Sequence, residues 1–152
     1  MQIRILVYVL IILAKINYLK AYQGPYTLLT DYLLSSHDRN TPPEDKINVD
    51  YDIELVKILE VEELKQRISV FVYIVEQWTD LTLSWDSNNF SQIDRTWLPI
   101  DSIWIPDILV YNMLDHVNVL KDIRNPVEIY ADGRVVHSYP AVYEVTCEII
   151  IS

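Results

Sequence analysis

A two-residue alternation of apolar and acidic side chains runs through the middle of the chain and constrains its fold more than any other feature. Between Val49 and Glu62, apolar residues hold one parity and carboxylates much of the other, as in Asp52, Ile53 and Glu54. Successive side chains of a β-strand point to opposite faces of a sheet. The pattern therefore predicts a strand with one buried face and one solvated face.

The same period recurs later, with turn residues between the repeats. The segment Ile68–Trp85 predicts a second long strand, and its apolar parity shifts between Ile74 and Leu81, which indicates a bulge or a strand that serves two surfaces. Asp132-Gly133 lies between two strand-like runs and predicts a tight hairpin. At least six strands at short spacing predict an all-β fold, an immunoglobulin-like antiparallel β-sandwich.

Two other segments precede these strands. The apolar run Ile5–Ala14 follows the cationic Arg4 and is too short to span a bilayer, so residues 1–21 are predicted to be a secretory signal peptide. A short buried strand or helix is the alternative for this run. Pro25 then opens a predicted amphipathic helix that ends near Ser36 and precedes the sandwich.

Charge and motif content exclude several functions. The chain carries 22 acidic and 12 basic residues, a net charge of −10, and such a surface repels nucleic acid. It contains no nucleophile elbow, no phosphate-binding glycine loop and no zinc-binding helix motif, so an enzyme and a cofactor are not expected. His37, His116 and His137 fall in separate segments, which favours hydrogen-bonded or solvated histidines over a metal site.

Secretion of the chain would give two further residues, Cys147 and Asn89, specific roles. Cys147 is the single cysteine, and in an oxidising compartment an odd cysteine indicates a missing partner or a bond to another chain. Its parity also places it on the apolar face of a strand. Asn89 opens the triplet Asn89-Phe90-Ser91 in a polar loop, which makes it the candidate glycosylation site.

The stretch from Thr96 to Asn112 holds half of the four tryptophans, each followed within two residues by a proline. Pro99 and Pro106 cannot donate to a sheet ladder and are expected to break strand pairing on either side of a turn. Trp104 is expected to fill the sandwich there, and Asp107 to accept hydrogen bonds from turn amides.

Motifs in this stretch and around it resemble, in order, those of the pentameric ligand-gated ion channels, the Cys-loop family that includes nicotinic acetylcholine receptors. The matching segments are Leu98-Pro99, Trp104-Ile105-Pro106-Asp107, Tyr111-Asn112, Gln77–Phe90 and Tyr130–Ile149. The resemblance covers residues 22–152 and implies a neurotransmitter-gated ion-channel ligand-binding domain. Within it, packing roles are expected for Trp78, Trp85, Trp104, Pro106 and Asp107.

The resemblance also implies an agonist site between subunits. Tyr111 matches an aromatic residue of the principal face, and Tyr73 stands where the family commonly has a tryptophan on the neighbour's complementary face. Val136 and Ser138 match outer contacts of that second face. The implied partners are a small cationic, acetylcholine-like neurotransmitter and other receptor subunits in a pentamer. An aromatic ring face attracts such a cation by about 0.5–2 kcal/mol.

By the same resemblance, the domain is incomplete at its C-terminus. Cys147 would be the first half of the family's disulfide, with its partner beyond Ser152. A truncated channel subunit in the secretory pathway is then expected, on the extracellular, postsynaptic side of the plasma membrane or secreted as a fragment. The alternatives are a secreted, soluble acetylcholine-binding-type protein and a truncated subunit that modulates full-length partners.

Overall fold

The computed structural model describes Tyr8, residues 24–119 and residues 125–148. Apart from Tyr8, the predicted signal peptide at residues 1–21 lies outside this part of the chain. The described part contains the helix α1 (Pro25–Ser36) and six strands. The strands are β1 (Asp50–Glu62), β2 (Arg67–Thr79), β3 (Arg95–Pro99), β4 (Met113–Asn118), β5 (Pro126–Tyr130) and β6 (Arg134–Thr146). Among the described residues, no helix is long and apolar enough to cross a bilayer.

The six strands form one antiparallel, sandwich-like sheet with the order β1-β2-β6-β5-β3, and β4 also pairs with β6. The central strand is β6, because β2 pairs along its whole length on one side. On its other side, β5 pairs near the start, with Ile129 opposite Val135, and β4 pairs near the end, with His116 opposite Tyr143. The predicted all-β antiparallel fold, preceded by a short helix, is confirmed.

The helix α1 begins and packs as its sequence predicts. Pro25 occupies the first turn, where its missing N–H costs nothing, and the Gly24 carbonyl accepts hydrogen bonds from the Thr27 and Leu28 amides at 3.0 and 3.2 Å. Leu29 and Leu33, one turn apart, are fully buried. Burying a leucine side chain stabilises a fold by about 1.5–3 kcal/mol, which fixes the helix on the sheet.

The main core lies between α1 and the end of the sheet that carries β3 and β5. Its members are apolar, 7 % exposed or less, and come from α1, four strands and the loops: Leu29, Leu33, Trp78, Leu83, Trp85, Ile93, Leu98, Ile103, Val127, Ile129 and Val135. Trp104 packs against this core, its ring edge-on to Trp78 at a centroid distance of 6.3 Å. A smaller cluster of Val72, Ile74, Tyr139, Ala141 and Tyr143 lies further along β2 and β6.

Two predictions for the first strands are wrong. Strand β1 is the sheet edge and is exposed on both faces over most of its length: Ile53 and Leu55 retain 43 % and 57 % of their accessible surface, and Tyr51 packs partly buried against the smaller cluster. The parity shift in the next segment is not a bulge. Strand β2 ends at Thr79, and the Asp80 carboxylate caps a 3₁₀ turn, Leu81–Leu83, by accepting from the Thr82 amide at 2.9 Å. The register shifts between β1 and β2 lie on β1 instead.

The hairpin predicted at Asp132-Gly133 is confirmed between β5 and β6. Gly133 has φ = +86°, a conformation that L side chains rarely adopt. Its carbonyl accepts from the Asp80 amide at 2.8 Å, which ties the hairpin to the turn after β2. Cys147, expected on the apolar face of a strand, instead follows the end of β6 and is exposed.

Candidate ligand-binding site

Three of the four predicted ligand-binding residues lie together on the outward face of the sheet. In the β2–β6 pairing, Tyr73 is opposite Pro140, while Ser138 and Val136 are the next two residues of the same parity on β6. Residues of the other parity, such as Ile74 and Val135, are fully buried, so this face looks away from the core. Tyr73 is 40 % exposed, and Val136 and Ser138 are partly exposed.

Tyr111 lies elsewhere, in the turn before β4, and is fully exposed. The next residue, Asn112, donates its side-chain amide to the Thr146 carbonyl at 2.8 Å, so this turn sits at the far end of β6. Eight residues of an extended strand separate Ser138 from Thr146, which is about 26 Å. One copy of the chain therefore does not bring Tyr111 to Ser138.

Aromatic rings at the surface differ in whether a cationic side chain lies over them. The Arg134 guanidinium lies 3.7 Å from the ring centre of Tyr130, and that of Arg95 lies 5.0 Å from Trp97. Each of these two rings therefore already makes a cation–π contact with an arginine of the same chain. No described residue places a cation or another ring on Tyr73 or Tyr111, so their faces are open to a ligand.

The motif tryptophans lie in or against the main core, but Asp107 does not. Trp78 is 2 % exposed, and Trp85, 7 % exposed, donates its indole N–H to a backbone carbonyl at 2.7 Å. Pro106 is buried and Trp104 partly buried. Asp107 is exposed, and its carboxylate accepts no hydrogen bond from the described residues, in contrast to the expected turn-capping role.

A buried polar cluster on β2 and β6 was not predicted. Glu76, His137 and Tyr139 are 4 %, 3 % and 8 % exposed. The His137 Nδ1 lies 3.1 Å from a Glu76 carboxylate oxygen, and the Tyr139 hydroxyl donates to the other oxygen at 3.0 Å. Burial, followed by the Glu76 charge, raises the pKa of Tyr139 above its ordinary value. The available signal was Glu76, a carboxylate at the core-facing parity of β2.

A second buried pair, also not predicted, joins the loop after α1 to the turn after β2. The side chains of His37 and Asp80 are 2 % and 0 % exposed, and Nδ1 of the histidine lies 3.6 Å from Oδ2 of the aspartate. The Trp104 amide donates to His37 Nε2 at 3.2 Å. The signal in the sequence was Asp80-Leu81-Thr82, an aspartate two residues before a threonine, as in a side-chain-capped turn.

Other candidates have simple surroundings. Asn89 is exposed in the 3₁₀ turn Ser87–Phe90, where its side chain is accessible to a modifying enzyme. His116 is exposed and lies against the ring of Tyr143 at 5.0 Å. In the ranges that the structure describes, no group of three histidine, cysteine or carboxylate side chains is arranged to hold a metal ion.

Comparison with known proteins agrees with these features. The family model described as the neurotransmitter-gated ion-channel ligand binding domain matches residues 26–152. The chain is 46 % identical over 131 residues to the proton-gated ion channel subunit pbo-6 of Caenorhabditis elegans, covering 86 % of this chain and 31 % of that protein.

Two acetylcholine receptor subunits are more distant relatives. Identity to the alpha-type subunit unc-38 of Caenorhabditis elegans is 28 %, over 93 % of this chain and 29 % of that protein. Identity to subunit alpha-1-B of Xenopus laevis is 27 %, over 72 % and 24 %. The chain spans less than a third of the length of these curated relatives, which are named as channel or receptor subunits and not as enzymes. The chain belongs to the neurotransmitter-gated ion-channel ligand-binding domain family.

Proposed function

We propose that the chain supplies the extracellular ligand-binding part of an ion channel subunit, with the agonist held between two subunits. Tyr111 would come from one subunit, and Tyr73, Val136 and Ser138 from its neighbour. The observation that carries this proposal is the separation of about 26 Å along β6 between Ser138 and the strand end beside Tyr111. Two open groups that cannot meet within one copy form a site when an adjacent copy supplies the missing half.

The ligand that fits these open rings is a small cationic neurotransmitter of the acetylcholine type. Tyr73 and Tyr111 present uncovered ring faces, and a quaternary ammonium binds such faces through the ring quadrupole. The net charge of −10 favours the approach of a cation. Two relatives are named as acetylcholine receptor subunits.

A proton is the second candidate ligand, and two observations favour it. The relative pbo-6 is named as a proton-gated channel subunit. The chain also buries two histidine–carboxylate pairs, His37 with Asp80 and His137 with Glu76. Histidine is the side chain whose charge ordinarily changes between about pH 5 and 8.

An extracellular position, on the postsynaptic side of the plasma membrane, follows from the same proposal. The family domain is extracellular in membrane receptors, and Asn89 would carry a glycan on a surface turn. In a secretory-cell expression test, Asn89→Gln should abolish a glycosidase-sensitive mass shift. Asn88→Gln, its neighbour outside the sequon, is the matched control and should leave that shift in place.

The composite site is tested by mixing two defective variants. Tyr73→Ala and Tyr111→Ala should each lose binding of radiolabelled acetylcholine, because each removes one half of every site. When the two variants are co-expressed in equal amounts, about a quarter of the interfaces receive both intact halves, so about a quarter of the binding should return. Tyr26→Ala, at an exposed tyrosine of α1, is the matched control and should bind normally.

Each alternative predicts a different outcome. A site within one copy shows no recovery on mixing. A protein that does not bind acetylcholine gives no signal with the unaltered chain, and this result would overturn the cationic-ligand proposal. Recovery of binding in the medium, with none on the cell surface, would favour the soluble binding protein.

A further inference from the structure

The hydrogen bonds of His37 fix which ring nitrogen carries its proton. Its Nε2 accepts from the Trp104 backbone amide at 3.2 Å, and a backbone N–H is a donor only, so Nε2 is unprotonated. The proton is therefore on Nδ1, which donates to the Thr82 hydroxyl at 2.9 Å. That hydroxyl in turn donates to Asp80 Oδ1 at 2.6 Å. These contacts assign the ring proton to Nδ1 and leave Nε2 as the acceptor for the Trp104 amide.

A second proton on His37 would break this arrangement at one point. Nε2 would become a donor facing the Trp104 N–H, and two donors cannot share a hydrogen bond. The Trp104 amide would then lose its acceptor. This differs from His137, whose Nε2 contacts the side-chain amide of Asn125 at 3.1 Å. A side-chain amide can rotate to present its oxygen, whereas the backbone of Trp104 cannot.

Asp80 favours the protonated form of the ring. Its Oδ2 is fully buried, accepts no hydrogen bond among the described residues, and lies 3.6 Å from His37 Nδ1. An uncompensated buried carboxylate oxygen is costly, and an adjacent imidazolium offsets that cost. The site thus has two competing arrangements: one satisfies the Trp104 amide, and the other satisfies Asp80.

The charged groups around His37 come from two segments, the turn after β2 and the loop that carries His37. Asp80 faces it from the turn after β2, and Asp38 adjoins it in its own loop. Hydrogen bonds from Asn40 and Thr41 hold the pKa of Asp38 below its usual range, so this carboxylate also favours a cation nearby. Arg39 points away and donates to the carbonyl of Asp101.

The pair lies between the segments that carry the two halves of the proposed agonist site. Trp104 begins the loop that leads to Tyr111. On the other side, the Asp80 amide donates to Gly133, at the hairpin tip from which β6 carries Val136 and Ser138. His37 thus contacts Trp104, at the start of one segment, and is linked through Asp80 to Gly133, at the start of the other.

We propose that the His37–Asp80 pair is a proton-binding site, and that protonation of His37 releases the Trp104 amide and loosens the loop leading to Tyr111. The effect on ligand binding rests on the proposed function, but the proton-binding step does not. Acidification would bind the proton on Nε2, form an imidazolium–carboxylate pair with Asp80 and free the Trp104 N–H.

Nuclear magnetic resonance of the unaltered chain between pH 8 and pH 5 tests the proposal directly. The ring signals of His37 and the backbone amide of Trp104 should shift with one common midpoint. After correction for the intrinsic pH dependence of hydrogen exchange, the protection factor of the Trp104 amide should fall about tenfold on acidification. This is the effect expected for one lost hydrogen bond. A Trp104 amide that does not follow His37 over this range would overturn the proposal.

Substitutions of the three histidines test whether the pH response of the Trp104 amide comes from His37. His37→Gln should make the Trp104 amide independent of pH, because a glutamine oxygen accepts from that amide without titrating. His137→Gln and His116→Gln are matched controls that should leave the coupling intact, and its loss in either would contradict the proposal. The titration of the unaltered chain remains decisive if His37→Gln does not fold. None of these readouts requires acetylcholine binding, so they separate this proposal from the mixing experiment.

Discussion

The two ends of the sheet differ in how fully the chain packs them. Under α1, Leu33, Leu98 and Ile129 have no accessible surface. At the end formed by β1 and β4, Leu55 and Leu114 keep 57 % and 52 % of theirs. Both ends have similar apolar sequence patterns, so the contrast comes from what packs on them: the helix and loops cover the first end, whereas the second has only the smaller cluster along β2 and β6.

The packed end of the sheet stabilises the fold, whereas the open end leaves surface available for contact with another molecule. The packed end anchors the β5–β6 hairpin through Asp80 and Gly133. Both uncovered tyrosines lie outside the packed end: Tyr73 pairs with Glu54 of β1, and Tyr111 precedes β4. Exposed apolar surface of this kind marks places where another surface binds. The proposed composite site lies where the chain leaves its own packing open.

Matched leucine substitutions should give the largest difference between the two ends. Leu98→Ala removes a side chain with no accessible surface and should lower the free energy of unfolding by about 2–5 kcal/mol, because it leaves a cavity. Leu55→Ala, at a side chain 57 % exposed, should cost less than about 1 kcal/mol. Urea denaturation measures both. Equal losses would show that β1 is packed as tightly as the main core.

A pair of glycine substitutions tests the hairpin anchor. Gly133→Ala should lower the free energy of unfolding by about 1–3 kcal/mol, because φ is +86° and the new Cβ would lie 2.8 Å from the Asp80 carbonyl oxygen. Gly24→Ala is the control, with no heavy atom within 4 Å of the added carbon. Thermal unfolding monitors both variants. A Gly133→Ala chain as stable as the unaltered one would refute the close contact with Asp80.

The smallest expected effect concerns the cluster between the two ends. The pKa of Tyr139 is raised by burial and by Glu76, so the folded chain keeps this proton at a pH where the unfolded chain releases it. The contribution of Tyr139 to the free energy of unfolding is therefore constant below about pH 10. Above this pH it falls by about 1.4 kcal/mol per pH unit.

Tyr139→Phe should therefore flatten the decline in urea midpoint between pH 9 and pH 11. A shallower slope should remain, because burial and a hydrogen bond with Tyr143 also raise the pKa of Tyr51. The difference between the two chains at pH 7 measures the separate loss of the hydrogen bond to Glu76. Identical slopes for both chains above pH 10 would show that Tyr139 does not stay protonated in the folded state.

Sequence reasoning succeeded where the signal is local. Pro25 marks the start of α1, and Asp132-Gly133 marks the hairpin, because each depends on the backbone preferences of one or two residues. The exposure of β1 was not predictable, since alternation gives the parity of a strand but not its place in the sheet. The end of β2 at Thr79 was missed because the apolar residues beyond it continue the appearance of a strand.

The site, too, was predictable only where local patterns determine it. Alternation and the family resemblance together put Tyr73, Val136 and Ser138 on one face, because they share a parity on paired strands. The His37–Asp80 pair was out of reach, since 45 positions separate His37 from Thr82 and 67 separate it from Trp104. Only the packing of α1 and its loop against the turn after β2 brings these groups together.

The central claim is that Tyr111 of one copy meets Tyr73 of another, and disulfide trapping between differently tagged copies tests it most directly. Tyr111→Cys and Tyr73→Cys would each be combined with Cys147→Ser, which removes the exposed native thiol, and co-expressed. Mild oxidation should link the two tags, whereas Tyr26→Cys with Tyr73→Cys should not. No link between the Tyr111→Cys and Tyr73→Cys copies, or an equal yield with Tyr26→Cys, would contradict the composite site.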